Sequence, residues 1–156
     1  MKYSFTLFFA MFLALVVNSP HAMSRQSNGK RTLQVHLKYT GSGVVDEKHR
    51  IFVVLWDSPD FVRGGVMPVK LLPASSKTGS VTFEDVEKSP AFISAAYDPK
   101  GEWDGASGPP PDGASLGLYA KSPPQPEPIE LKPGAPVSIE LIFDDTVKMS
   151  GGQPSR

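Results

Sequence analysis

Cysteine is missing from all 156 residues, so neither a disulfide nor a thiolate takes part in the stability or chemistry of this chain. Histidine is scarce, with three in total, and His36 and His49 are the only ones beyond residue 22. His36 sits at a polar position of an alternating segment and His49 in the charged turn "DEKHR", so histidine ligation of a metal has no cluster to start from. Charge is balanced at 16 basic and 16 acidic residues, which leaves no net field to recruit nucleic acid or anionic lipid. The basic "GKRT" reads as a solvated stretch. No Gly-x-Ser-x-Gly elbow is present, and neither Asn18-Ser19-Pro20 nor Asn28-Gly29-Lys30 is a glycosylation acceptor. Amphipathic helical periodicity and internal repeats are absent as well.

One apolar run stands out, Phe5 to Val17, interrupted only by Thr6. It follows a single lysine, Lys2, and precedes small and turn-forming residues ending in Ala22 or Ser24. That is the layout of a secretory signal peptide, and the run is shorter than the roughly 20 residues a bilayer-spanning helix needs. The expectation is a signal peptide over 1–22, a flexible segment over 23–31, and a secreted or periplasmic product with no membrane attachment after cleavage. The lack of cysteines and acceptor sequons leans toward a bacterial setting.

What remains is rich in strand signals. "TLQVHLKY" alternates apolar Leu33, Val35, Leu37 and Tyr39 with polar residues, the period of a strand with one wet face. "RIFVVLWD" is apolar at both parities, which places it centrally, covered on two sides, with Trp56 in the core. "MPVKLLPA" suits an edge strand because of its prolines, and "SPDFVRGG" a single helical turn. "GSVTFEDV", "PAFISAAYD", "SLGLYA", "PIELKPG" and "VSIELIFD" follow, separated by Pro, Gly, Ser and Asp clusters. About seven strands at this spacing predict an all-β domain over 32–145, an antiparallel β-sandwich of immunoglobulin-like or transthyretin-like type. Twelve of the sixteen prolines lie in the second half and make its crossings stiff and extended. The tail, 146–156, shows no apolar pattern and is expected to be disordered.

The loop "DPKGEWDGASGPPPDG", Asp98 to Gly113, concentrates the chemistry. Asp98, Glu102 and Asp104 are hard oxygen donors, with Asp112 further on, so calcium is the one ion this composition permits as a cofactor. Against it, Lys100 stands where an alternating ligand is wanted, and its charge opposes a cation. Trp103 has two readings: it folds back to cap the open end of the sandwich, or it is an exposed platform flanked by Glu102 and Asp104 for a sugar ring or a partner's side chain. Glu102 and Asp104 as a catalytic acid–base pair would need different environments, and both sit among glycines and prolines where solvent levels them.

The order "IFVVLWDSPDF", "GSVTFEDV", "AFISAAYDPKGEWDG", then a Gly-Pro-rich loop and "LGLYA", resembles the exported transthyretin-like, carboxypeptidase-regulatory-like β-sandwich domains, over roughly Leu33 to Phe143. A smaller exported group of that type carries an Asp-x-Asn-x-Asn-Gly loop after the corresponding strand; here Lys100 and Glu102 stand where the asparagines would. Transthyretin-like hydrolases end in Tyr-Arg-Gly-Ser, whereas this chain ends "GGQPSR". The resemblance implies a non-catalytic binding or structural module of the cell envelope, with carbohydrate or an envelope protein as partner; the balanced charge argues for no nucleic acid. A calcium-stabilised accessory domain is the alternative, and a small hydrolase a further one.

Overall fold

The computed structural model describes residues 30–151 and 153–155; the expected signal peptide and most of the 23–31 segment lie outside the described residues. Among the described residues nine strands form: β1 (Leu33–Tyr39), β2 (Ile51–Trp56), β3 (Lys70–Ala74), β4 (Thr78–Phe83), β5 (Phe92–Tyr97), β6 (Ser115–Leu118), β7 (Val137–Phe143), β8 (Lys148–Ser150) and β9 (Gln153–Ser155), with a 3-10 turn at Pro59–Arg63. They make a β-sandwich. One sheet has the order β4-β1-β7; the other runs β3-β2-β5-β6-β8 and is extended by β9. Every strand pairing is antiparallel except one: β1 and β7 run parallel, Leu33 beside Val137 through to Tyr39 beside Phe143. That pair joins strands about a hundred residues apart in sequence, and a parallel neighbour demands such a long connection.

Alternation does the work the sequence indicated. Leu33, Val35, Leu37 and Tyr39 of β1 are buried, together with Val81 and Phe83 of β4 and Ile139, Leu141 and Phe143 of β7. They pack against Ile51, Val53 and Leu55 of β2 and Ile93, Ala95 and Tyr97 of β5 to form the central core. Gly117 of β6 faces this core because the Phe143 ring occupies the space of a side chain: a Cβ there would lie 2.6 Å from the ring. The opposite face of the β4-β1-β7 sheet is wet, carrying His36, Lys38, Thr82 and Glu140.

The larger sheet is apolar on its outer face as well. Phe52 and Val54 of β2 and Phe92 and Ala96 of β5 are buried, although they lie outside the central core. The covering is local. Phe61 of the 3-10 turn stacks on Trp56 at 4.6 Å and 7°, and Trp103 meets Phe52 edge-on at 5.0 Å. β2, bonded to β3 on one side and β5 on the other, is thus covered on both faces as its composition predicts.

Four expectations need correction. Trp56 is half-buried on the outer face, its Nε1 donating to Ser94 Oγ at 2.8 Å, because odd positions of β2 point to the core and Trp56 is even. "PIELKPG" forms an isolated bridge, Ala91 with Ile129, since Pro128 and Pro133 deprive the segment of ladder donors. The tail is not featureless: β8 pairs with β6, Met149 is buried, and its N–H donates to Ala114 O at 2.9 Å. Lys30 and Arg31, expected in a flexible segment, are held by the Asp85 carboxylate and the Glu87 carbonyl.

The inward and outward assignments make a direct prediction. Leu55→Ala removes a fully packed core side chain and should cost about 2–5 kcal/mol. His36→Ala, on the wet face with only an exposed contact to Ser80, should change stability by less than about 0.5 kcal/mol. Denaturant melts of the two variants check the ranking, and the reverse order would refute the assignment of faces.

Candidate functional site

The loop after β5 is built around one carboxylate. Asp98 follows Tyr97 directly, is only 3% exposed, and accepts three backbone N–H bonds: Lys100 at 2.9 Å, Glu102 at 2.8 Å and Trp103 at 3.0 Å. The Gly101 N–H closes the same turn on the Asp98 carbonyl at 3.2 Å. Asp before Pro, with donors two to five residues on, is Asx-turn chemistry, in which a side chain imitates the backbone of a turn. Burial works against ionisation of Asp98, but the three N–H groups outweigh it and hold the carboxyl below the usual range.

The turn aims Trp103 back onto the sheet. Its ring stands against Phe52 on the outer face, and its Nε1 donates to the Gly108 carbonyl at 3.2 Å. Gly105 has φ +81° and passes so close to the sheet that a Cβ would lie 2.8 Å from both Leu71 and Phe52; only glycine satisfies both conditions. Asp104 then repeats the Asx device, accepting the N–H groups of Ala106 and Ser107 at 2.8 Å each and the Ser107 hydroxyl at 2.7 Å. The Ser107 hydroxyl and these N–H groups keep its pKa low, so it is charged at neutral pH. Between these turns lies a shallow concavity of about 260 Å³ lined by Glu102, Trp103, Asp104, Ser107, Pro109 and Pro111.

The structure therefore brings together the three residues expected to bind a ligand, Trp103, Glu102 and Asp104, on one groove. Asp98, Glu102 and Asp104, the three carboxylates expected as ion ligands, are not gathered into one cluster. Asp98 is turned inward onto N–H donors, Asp104 is engaged by its own turn, and among the described residues no three acidic or histidine side chains are grouped to hold a metal. The physical reason is burial at the end of β5, which directs Asp98 to the backbone. Trp103 caps the outer face of the larger sheet, not the open end of the sandwich, and remains half-buried.

A second constellation was not singled out in the sequence. Asp145, in the β7–β8 turn, accepts the Tyr39 hydroxyl at 2.5 Å, the Ser115 hydroxyl at 2.6 Å, the Ser42 N–H at 2.9 Å and the Ser42 hydroxyl at 3.1 Å. Lys148 lies 3.6 Å from Asp145 and donates to Ser115 Oγ at 3.1 Å. Burial opposes the charge on Asp145, but the Ser115 and Tyr39 hydroxyls and Ser42 keep it far below the usual carboxylate range. Burial and the Asp145 bond push Tyr39 well above the ordinary phenol range. Serine, lysine and aspartate in contact suggest a nucleophile, yet Ser115 is fully buried and its proton is committed to Asp145, so a substrate carbonyl has no route to it. The cluster ties the 40–43 loop, β6 and the β7–β8 turn together. The one sequence signal was the Asp144-Asp145 pair directly after an inward Phe143.

The chain matches no protein-family model, no curated protein and no solved structure.

Both buried-side carboxylates have depressed pKa values, so their contribution to stability is complete above the unfolded carboxyl value of about 4 and is lost as pH falls through the folded values. Asp145→Ala should cost about 2–4 kcal/mol at pH 7, leaving Tyr39 and Ser115 unsatisfied, and should flatten the acid limb of stability against pH. An unchanged acid limb would contradict this. Calcium at millimolar concentration should leave the melting temperature unmoved, since Asp98 is buried with both oxygens accepting backbone N–H bonds. A rise of several degrees reversed by chelator would show an ion site after all.

Proposed function

We propose that the chain is an exported, non-catalytic β-sandwich that serves as a binding or structural module of the cell envelope, engaging carbohydrate or an envelope protein through the 98–113 loop. The groove carries this reading. A rigid sheet supports a loop pinned by two Asx turns, and that loop presents an aromatic ring, two prolines and two carboxylates to solvent in one concavity. Function on a fixed loop above a packed scaffold is a recurrent arrangement, and a partly exposed tryptophan is the residue type that most often anchors a contact. The leader supports export. The transthyretin-like, carboxypeptidase-regulatory-like resemblance is in keeping with the order of pieces, because the quoted segments fall on β2, β4, β5 with its loop, and β6 in turn. A calcium-stabilised accessory role finds no support in the direction of Asp98, and a hydrolytic role none in the burial of Ser115.

Tryptophan fluorescence of the exported protein, titrated with envelope polysaccharide fractions and with envelope protein extracts whose bound components are then identified, tests the reading. Saturable quenching is expected, and Trp103→Ala should abolish it. Because the ring also packs on Phe52, the same substitution should cost about 1–3 kcal/mol, less than loss of a fully buried tryptophan. Trp103→Phe, which keeps a ring on Phe52, should restore most of the stability. Binding that survives Trp103→Ala undiminished would place the site elsewhere and refute the proposal.

A further inference from the structure

The polar atoms of the groove are mostly spent within the loop. Trp103 Nε1 is committed to the Gly108 carbonyl, both Asp104 oxygens receive donors, and the Ser107 hydroxyl is one of those donors. Pro109 and Pro111 carry no N–H at all. A neutral sugar is read by free donors and acceptors arrayed around its hydroxyls, and little of that array is left here. Charge and apolar surface remain. Glu102 is exposed, its carboxylate has no partner among the described residues, Asp104 stays ionised, and no cationic side chain lines the concavity.

Resting on the groove reading above, we propose that the natural ligand is an extended segment of a partner protein carrying an arginine, whose guanidinium lies against the exposed part of Trp103 and pairs with Glu102. A guanidinium is planar, weakly hydrated and suited both to an aromatic ring and to a carboxylate fork, which a lysine ammonium matches less well. The chain already uses the same chemistry next door: the Arg50 guanidinium sits 5.5 Å over the ring of Phe52, the ring that Trp103 meets edge-on. Asp104, its oxygens engaged, contributes through its field, and the proline walls hold the residues flanking the arginine without losing side-chain entropy.

Fluorescence polarisation with a labelled Gly-Arg-Gly-Arg-Gly peptide tests this, against the same peptide with citrulline, the neutral isostere, at both arginines. The arginine peptide should bind at least tenfold more tightly than the citrulline peptide and weaken as salt rises. Glu102→Gln, a surface change that leaves the loop's hydrogen bonds intact, should lower affinity roughly tenfold with the melting temperature unchanged. Equal binding of the two peptides, or parent-like binding by Glu102→Gln, would overturn the proposal. If a neutral oligosaccharide quenches Trp103 while the arginine peptide does not bind, the arginine proposal falls and the groove reading stands. If Trp103→Ala binds the arginine peptide as the parent does, the groove reading itself falls.

Discussion

The site depends on where one carboxylate points. Asp98 leaves β5 at the edge of the packed interior, where the cheapest way to keep it charged is to surround it with N–H donors. Three loop amides supply them, and in doing so fix the path of the chain from Lys100 to Trp103. Trp103 then lands on Phe52 because the turn aims it there, Gly105 passes over the same ring because it has no side chain, and the groove forms between the two Asx turns. Without the Asp98 side-chain bonds, the path from Lys100 to Glu102 would rest on the single turn bond from the Gly101 N–H to the Asp98 carbonyl.

That loop has a second task, which ties fold to function. The larger sheet has apolar residues on both faces, and among the described residues no third layer of strands or helices covers its outer face. Trp103 on one side and Phe61 stacked on Trp56 on the other provide it with two aromatic lids. A residue used in this way is held still and yet remains partly exposed, so capping the sheet leaves part of the ring open to solvent. At the same end of the sandwich the Asp145 cluster locks the β7–β8 turn to Tyr39, Ser42 and Ser115, so that the scaffold beneath the loop is fixed by charge-assisted bonds as well as by packing.

Much of the fold was legible because it rests on period two. β1, β4 and β7 alternate, β2 does not, and the structure buries them accordingly. The proline positions marked β3 as an edge strand. What could not be read was non-local: the parallel β1–β7 pairing and the return of Met149 to β6 depend on partners far away in sequence, and three residues of β8 are too few to show a period. "PIELKPG" has apolar Ile129 and Leu131 at strand spacing, but its two prolines, Pro128 and Pro133, lack the N–H donors a ladder needs. At the site, residue types were informative and directions were not. Asp98 has the composition of an ion ligand and the position of a turn organiser, and its burial, which separates the two, is a property of the folded sheet. The Asp145 cluster gathers residues from three distant segments and left almost no trace in the sequence.

A buried turn-forming carboxylate positions a half-exposed tryptophan on the outer face of the larger sheet, beside the groove proposed above as the binding surface. Amide hydrogen exchange at Glu102 and Trp103 measures this most directly. The account predicts both amides to be protected in the native protein and to lose that protection in Asp98→Ala, with the amides of β2 and β5 still protected. Exchange of both at unstructured-chain rates in the unsubstituted protein would contradict it.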